Sequence, residues 1–198
     1  MIISKPFITA IGDDIDGLNW VEQYGGLTIL AEIDGKKIPL SDDANAATCQ
    51  QTGHYSMLLP TADKKGVVYF EEVGRARITP ASGSHMRYEQ RLRMIAWINL
   101  KENGYPVATT LPFQPIMRAI LKGQTINMPD GVSNILVGSM DELTHEEAVK
   151  IFARYNYEID IYGMMTYPYM PYILEFELSG TINPVCFATE AGGDALDC

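Results

Sequence analysis

The sequence predicts an α+β fold: an antiparallel β-sheet flanked by two helices on one face, with an extended hairpin or arm. Three observations carry this. Strand-like segments recur at residues 67–72, 75–79, 86–100 and 172–182. Two segments of helical period, at 113–121 and 144–155, sit among them without the regular alternation that builds a parallel sheet. Punctuation by 17 Gly and 11 Pro is even along the 198 residues, with no repeat, low-complexity tract or linker to divide them. One domain over 1–187 follows, with a long loop at 41–63 and a flexible C-terminal tail at 188–198.

The elements read in order as follows. An extended start at 7–11 is followed by the turn Gly12-Asp13-Asp14, and Asp16 is placed to cap a short helix through Leu18, Val21 and Glu22 that ends at Gly25-Gly26. Residues 27–33 and 36–40 flank Asp34-Gly35, which supplies the positive φ angles of a two-residue hairpin turn. Residues 67–72 and 75–79 read as a second strand pair turning around Gly74.

The stretch 86–100, MRYEQRLRMIAWINL, is the most informative. Met86, Tyr88, Leu92, Met94, Ala96, Ile98 and Leu100 share one face, with Gln90 the single polar exception. At about 3.3 Å per residue such a strand extends roughly 50 Å, whereas a compact domain of this length is only about 40 Å across. It must curve, break at a bulge or project. Its other face carries Arg87, Glu89, Arg91 and Arg93 and then changes to Ile95 and Trp97. One half is therefore wet or partnered, and the other is buried on both sides.

After a turn at Asn103-Gly104-Tyr105-Pro106, Phe113, Ile116, Met117, Ile120 and Leu121 recur at helical spacing until Gly123 stops them. Residues 132–137 form another strand. Thr144-x-x-Glu147 has the form of a capping box opening a helix that runs to about Tyr155, with Arg154 near its end. In the last strand Tyr172, Leu174, Phe176, Leu178 and Ile182 alternate with Glu175, Glu177, Ser179 and Thr181.

Several function classes find no support. No apolar run approaches the roughly 18 residues of a membrane span, and the opening MIISKPF has neither the order nor the length of a secretory signal, so no membrane partner is expected. Cys49, Cys186 and Cys198 include no CxxC pair and no histidine at ligand spacing, which argues against a disulfide framework or zinc site. A net charge of −10 opposes general binding to a phosphate backbone. Asp14, Asp16 and Gly17 fit the third, fifth and sixth positions of a calcium loop, but that register puts Gly12 first and Gln23 last, where carboxylates are required. Ser84 and His85 are chain neighbours on opposite faces of an extended segment, without a nucleophile elbow. His54, His145 and Cys49 have no activating neighbours. Glu175 and Glu177 share a strand face and are the acidic pair best placed for metal or acid–base work, yet acidic outer faces of antiparallel sheets are ordinary. No Gly-rich phosphate loop joins a strand to a helix. The expectation is a protein that is not an enzyme and carries no cofactor or metal.

Two features suit an interface. Five of the seven arginines, Arg75, Arg77, Arg87, Arg91 and Arg93, fall within 19 residues of an otherwise acidic chain. Such segregated charge gives complementary head-to-tail contacts between copies, which close into a ring where the rotation permits; a solvated strand face with internal ion pairs to Glu89 and Glu71 accounts for it equally. The second feature is the segment 155–172, where Tyr155, Tyr157, Tyr162, Tyr167, Tyr169 and Tyr172 stand with Met164, Met165 and Met170. Tyrosine and methionine suit adaptable contact with a partner, and packing on the chain's own core is the alternative. Tyr167, Tyr169, Met170 and Tyr172 join the five arginines as the candidate subunit interface.

The phrases FITAIGDDIDGLNWVEQYGGLT, VVYFEEVGRARITP, YEQRLRMIAWINLKENGY and YPYMPYILEFELSGTINPVCF resemble neck proteins of tailed phages infecting gut Bacteroidales, including crAss-like phages. The resemblance implies a virion protein assembled in the bacterial host cytoplasm. It implies a ring in the head-tail connector between portal and tail, with a tail-terminator-like architecture of a small sheet, two helices and arms reaching to adjacent subunits. The partners it implies are copies of the same chain, portal-side and tail-side phage proteins, and non-specific contact with passing DNA. A β-rich interaction domain that binds a protein partner without forming a ring is the alternative.

Overall fold

The computed structural model describes residues 3–33, 36–41, 58, 63–104, 113–125, 131–155 and 166–183. Their strands are β1 (Gln23–Ile33), β2 (Lys36–Ser41), β3 (Gly66–Pro80), β4 (Met86–Asn99), β5 (Val132–Glu142) and β6 (Tyr169–Ile182). The helices among them are α1 (Ser4–Ala10), α2 (Gly12–Asp16), α3 (Phe113–Lys122) and α4 (His145–Phe152). The strands form one six-stranded sheet in the order β2-β1-β3-β4-β6-β5. The α+β class is as the sequence predicts, but the sheet is mixed: β1 and β3 run parallel and every other pair is antiparallel. β2 turns back along one side of β1, so β3 takes the other side in β1's own direction.

The helices lie on both faces of the sheet, not on one. Ile3, Phe7, Ile8, Ile11 and Ile15 are buried on the first face with Ile116 and Ile120 of α3 and the even-numbered residues of β4 and β6. Ala148, Ile151 and Phe152 of α4 close a second core over Val67, Tyr69, Ile95, Trp97 and Ile173. The cause is the change of pattern in β4: Ile95 and Trp97 make its odd face apolar where Met94 and Ala96 already fill the even one, and an apolar surface of that size has to be covered.

The N-terminus departs furthest from expectation. Residues 7–11 are not extended; most lie in α1, because Ile3, Phe7, Ile8, Ile11 and Ile15 are spaced to share one helical stripe. Asp16 ends α2 and caps no following helix, and Gly25-Gly26 falls inside β1. There Gly26 takes φ +59° where the β1–β3 register slips between Tyr24 and Leu27. Gly180 of β6 marks how closely α1 approaches: a Cβ there would lie 2.9 Å from Ile3 Cδ1 and 2.8 Å from Ile135 Cδ1.

Gly74 is likewise no hairpin turn. Residues 66–80 form one strand, and Gly74, at φ +75°, lies in a bulge where the register with β4 shifts between Val73 and Arg77. The reversal comes later, closed by the Ala81 N–H donating to the His85 carbonyl at 2.9 Å. Gln90, the polar exception on β4's apolar face, is buried at this bulge, and its side-chain amide donates to the Val73 carbonyl at 3.1 Å. The long β4 does not project as an arm: β6 pairs with it from Met86 to Asn99.

Other elements fall close to expectation. Pairing of Ile33 with Lys36 brackets Asp34-Gly35, which lie outside the described residues. Thr144 and Glu147 form the capping box of α4, and α3 ends before Gly123 in a short 3₁₀ turn. β5 runs on to Glu142, beyond the expected end at 137, through two register shifts. Within the loop expected at 41–63, Leu58 is buried in the second core and its N–H donates to the Pro39 carbonyl. The rest of that loop lies outside the described residues apart from Ser41 and Asp63, as do residues 188–198.

Candidate subunit interface

The second face of the sheet divides along the strands. Its proximal half is the core beneath α4, and the boundary is a row of three charged residues, one on each of three neighbouring strands. Glu71 of β3 pairs across to Arg93 of β4, which pairs across to Glu175 of β6. The Arg93 guanidinium donates from Nε to Glu175 Oε1 at 2.8 Å and lies 3.5 Å from Glu71 Oε2. Just after α4, the Tyr155 hydroxyl donates to the other Glu71 oxygen, and Arg154 stands 3.6 Å from Glu71 Oε2. Two carboxylates and two guanidiniums make a neutral group, so no charge in it lacks a counter-ion.

Beyond this row no helix covers the face among the described residues. Arg91 is exposed opposite Val73 and Glu177. Arg87 is exposed and holds Glu89 at 2.8 Å. Arg75 and Arg77 project from the distal part of β3. Among the described residues Arg75, Arg77 and Arg91 make no ion pair. The five arginines thus separate: Arg93 is 9% exposed and internally partnered, Arg87 is exposed but paired within its strand, and the other three are exposed and make no ion pair among the described residues. Internal ion pairs account for Arg87, with Glu89, and for Arg93, with Glu71, and do not extend to the other three.

The tyrosine segment separates in the same way. Tyr172 is 4% exposed and stacks on Phe113 with ring centroids 3.4 Å apart. Tyr169 stacks on Trp97 at 4.9 Å, and Met170 packs against the first core. Tyr155 is buried between Tyr69 and Phe152. Only Tyr167 among the four named tyrosine-segment candidates is turned out, at 63% exposed. Tyr157, Tyr162, Met164 and Met165 lie outside the described residues.

Burial pushes the Tyr172 phenol up to about 12, with the Glu142 charge adding to it. Burial likewise raises Tyr88, against the pull of its hydrogen bond to Ser4. On the exposed start of α4, the Thr144 hydroxyl, and after it the Thr144 backbone, hold Glu147 below the usual carboxylate value. Glu175, one of the acidic pair singled out from sequence, is held by Arg93, and Glu177 stands apart from it beside Gly138. Among the described residues no three His, Cys, Asp or Glu side chains converge to hold a metal.

Sequence reasoning missed Tyr155 and Arg154 as partners of Glu71, and the open strand β5. The signal for the first is the rank of odd-numbered charges, Glu71, Arg93 and Glu175, on three strands that alternate in the same sense. No model of a known protein family matches this chain, and no curated protein matches it. No helix among the described residues is long and apolar enough to cross a membrane.

Proposed function

We propose that this chain is a structural virion protein, one subunit of a ring in the head-tail connector of a tailed phage, joining portal to tail and allowing DNA to pass. The observation that carries the reading is the bare distal half of the sheet. There β1 has left β3, whose pairing with it stops at Phe70, and three outward arginines stand on a face with no helix over it among the described residues. A folded chain with one well-covered core and one open, charged ribbon is suited to finishing itself against neighbours.

The resemblance adds the identity of the neighbours. Its phrases coincide with α1 and α2, with β3, with β4 and with β6, the elements that build the sheet and the first core. The tail-terminator-like arrangement and non-specific contact with passing DNA belong to this proposal. The test is mass spectrometry of purified particles. The chain is expected in every preparation at a fixed multiple of the portal subunit; its absence from particles overturns the reading and leaves the non-ring interaction domain in its place.

A further inference from the structure

The distal sheet has two open edges at one height. Pro80, Met86, Ile182 and Val132 lie in one row across β3, β4, β6 and β5. Thr79, Arg87, Thr181 and Ser133 form the next row, and Arg77, Glu89, Ser179 and Leu136 another. Among the described residues neither β3 over 73–80 nor β5 has a strand on its outer side. The third terminal strand, β2, already accepts the Leu58 N–H at its Pro39 carbonyl.

Direction and side chains match as well as height. Three antiparallel steps separate β3 from β5, so the two run in opposite senses. A second copy rotated about an axis along the strands therefore brings its β5 beside β3 as an antiparallel neighbour, without sliding along it. Arg77 and Leu136 then meet in the same row and on the same face, and Leu136, at 56% exposed, gains the aliphatic stem of Arg77 as cover. Pairing two β3 edges instead would bring Arg75 and Arg77 against their own kind, which is unfavourable.

Resting on the ring reading above, we propose that residues 73–80 of β3 receive β5 of a second copy as an added antiparallel strand, so that the distal sheets of successive copies run on into one another. The contact is heterologous, each copy giving one edge and accepting another, and so generates a ring where the rotation closes. The Gly74 bulge, the arginines and Pro80 on β3, with Asn134 at φ 52° on β5, restrict indiscriminate pairing. The rows that stay level across the two edges are Arg77 with Leu136, Thr79 with Ser133 and Pro80 with Val132.

The test is disulfide trapping in assembled particles. Arg77→Cys and Leu136→Cys are introduced together in one chain, particles are oxidised, and the denatured chain is sized without reductant, with the unmodified chain as baseline. A ladder of covalent multimers is expected from the double variant and from neither single variant. Thr79→Cys with Ser133→Cys, level in the next row, gives the same ladder and serves if loss of Arg77 impairs assembly. A monomer from both pairs in particles that contain the chain overturns the edge assignment and leaves the ring reading standing, as does a covalent dimer from Arg77→Cys alone. Absence of the unmodified chain from particles overturns the ring reading itself.

Discussion

Arg93 and Arg91 stand two residues apart on the same face of the same strand, and the sheet treats them in opposite ways. Arg93 is held between Glu71 and Glu175; Arg91 faces outward beyond them. The proximal half has apolar residues on both faces, so helices cover both. The distal half is apolar on one face and charged on the other, and among the described residues a helix layer covers only the apolar one. The lesson is that one strand can belong to a sealed core and to an open surface, with a neutral charged row as the border.

Removing Arg93 is the most damaging break in this comparison. Arg93→Ala leaves buried Glu71 and half-buried Glu175 beside one another without the cation between them, and is expected to cost about 3 kcal/mol of folding stability. The shift in the urea unfolding midpoint measures it.

A smaller effect comes from Tyr172 in the covered half. Its phenol titrates above its ordinary value of 10, at about 12, so the folded chain holds the proton more tightly than the unfolded one. The associated stability is whole below about pH 10 and is lost as pH rises toward the folded value. In that window stability falls by up to about 1.4 kcal/mol per pH unit. Urea midpoints across the window are expected to decline, and Tyr172→Phe to reduce the slope.

The smallest effect on folding belongs to the bare half. Arg91→Ala is expected to change stability by no more than about 0.5 kcal/mol in the same urea experiment, since it removes no buried contact. A loss as large as that of Arg93→Ala would erase the border between the halves.

Much of this division is legible in the sequence. The switch on β4 from Arg87, Glu89, Arg91 and Arg93 to Ile95 and Trp97 marks where cover begins, and the Thr144–Glu147 box marks the helix that supplies it. What was not legible depends on contacts far apart in the chain. Gly74 has the chemistry of a turn and of a bulge alike, and only pairing with β4 on both sides of it selects the bulge. The stripe from Ile3 to Ile15 is helical in spacing but is broken by Pro6 and Gly12, and burial against β6 outweighs those weak local preferences. Tyr169 and Tyr172 have the composition of a docking segment, and Trp97 and Phe113, distant in sequence, take them into the core.

The central claim is that the open half of this sheet is completed by copies of the same chain at the neck of a particle. Cryo-electron microscopy of the particle neck tests it directly. The account predicts a closed ring of this chain between portal and tail, with Arg75 and Arg77 at the contact between adjacent copies. A neck in which the chain is present only as isolated copies, its distal sheet edges facing solvent, would contradict it.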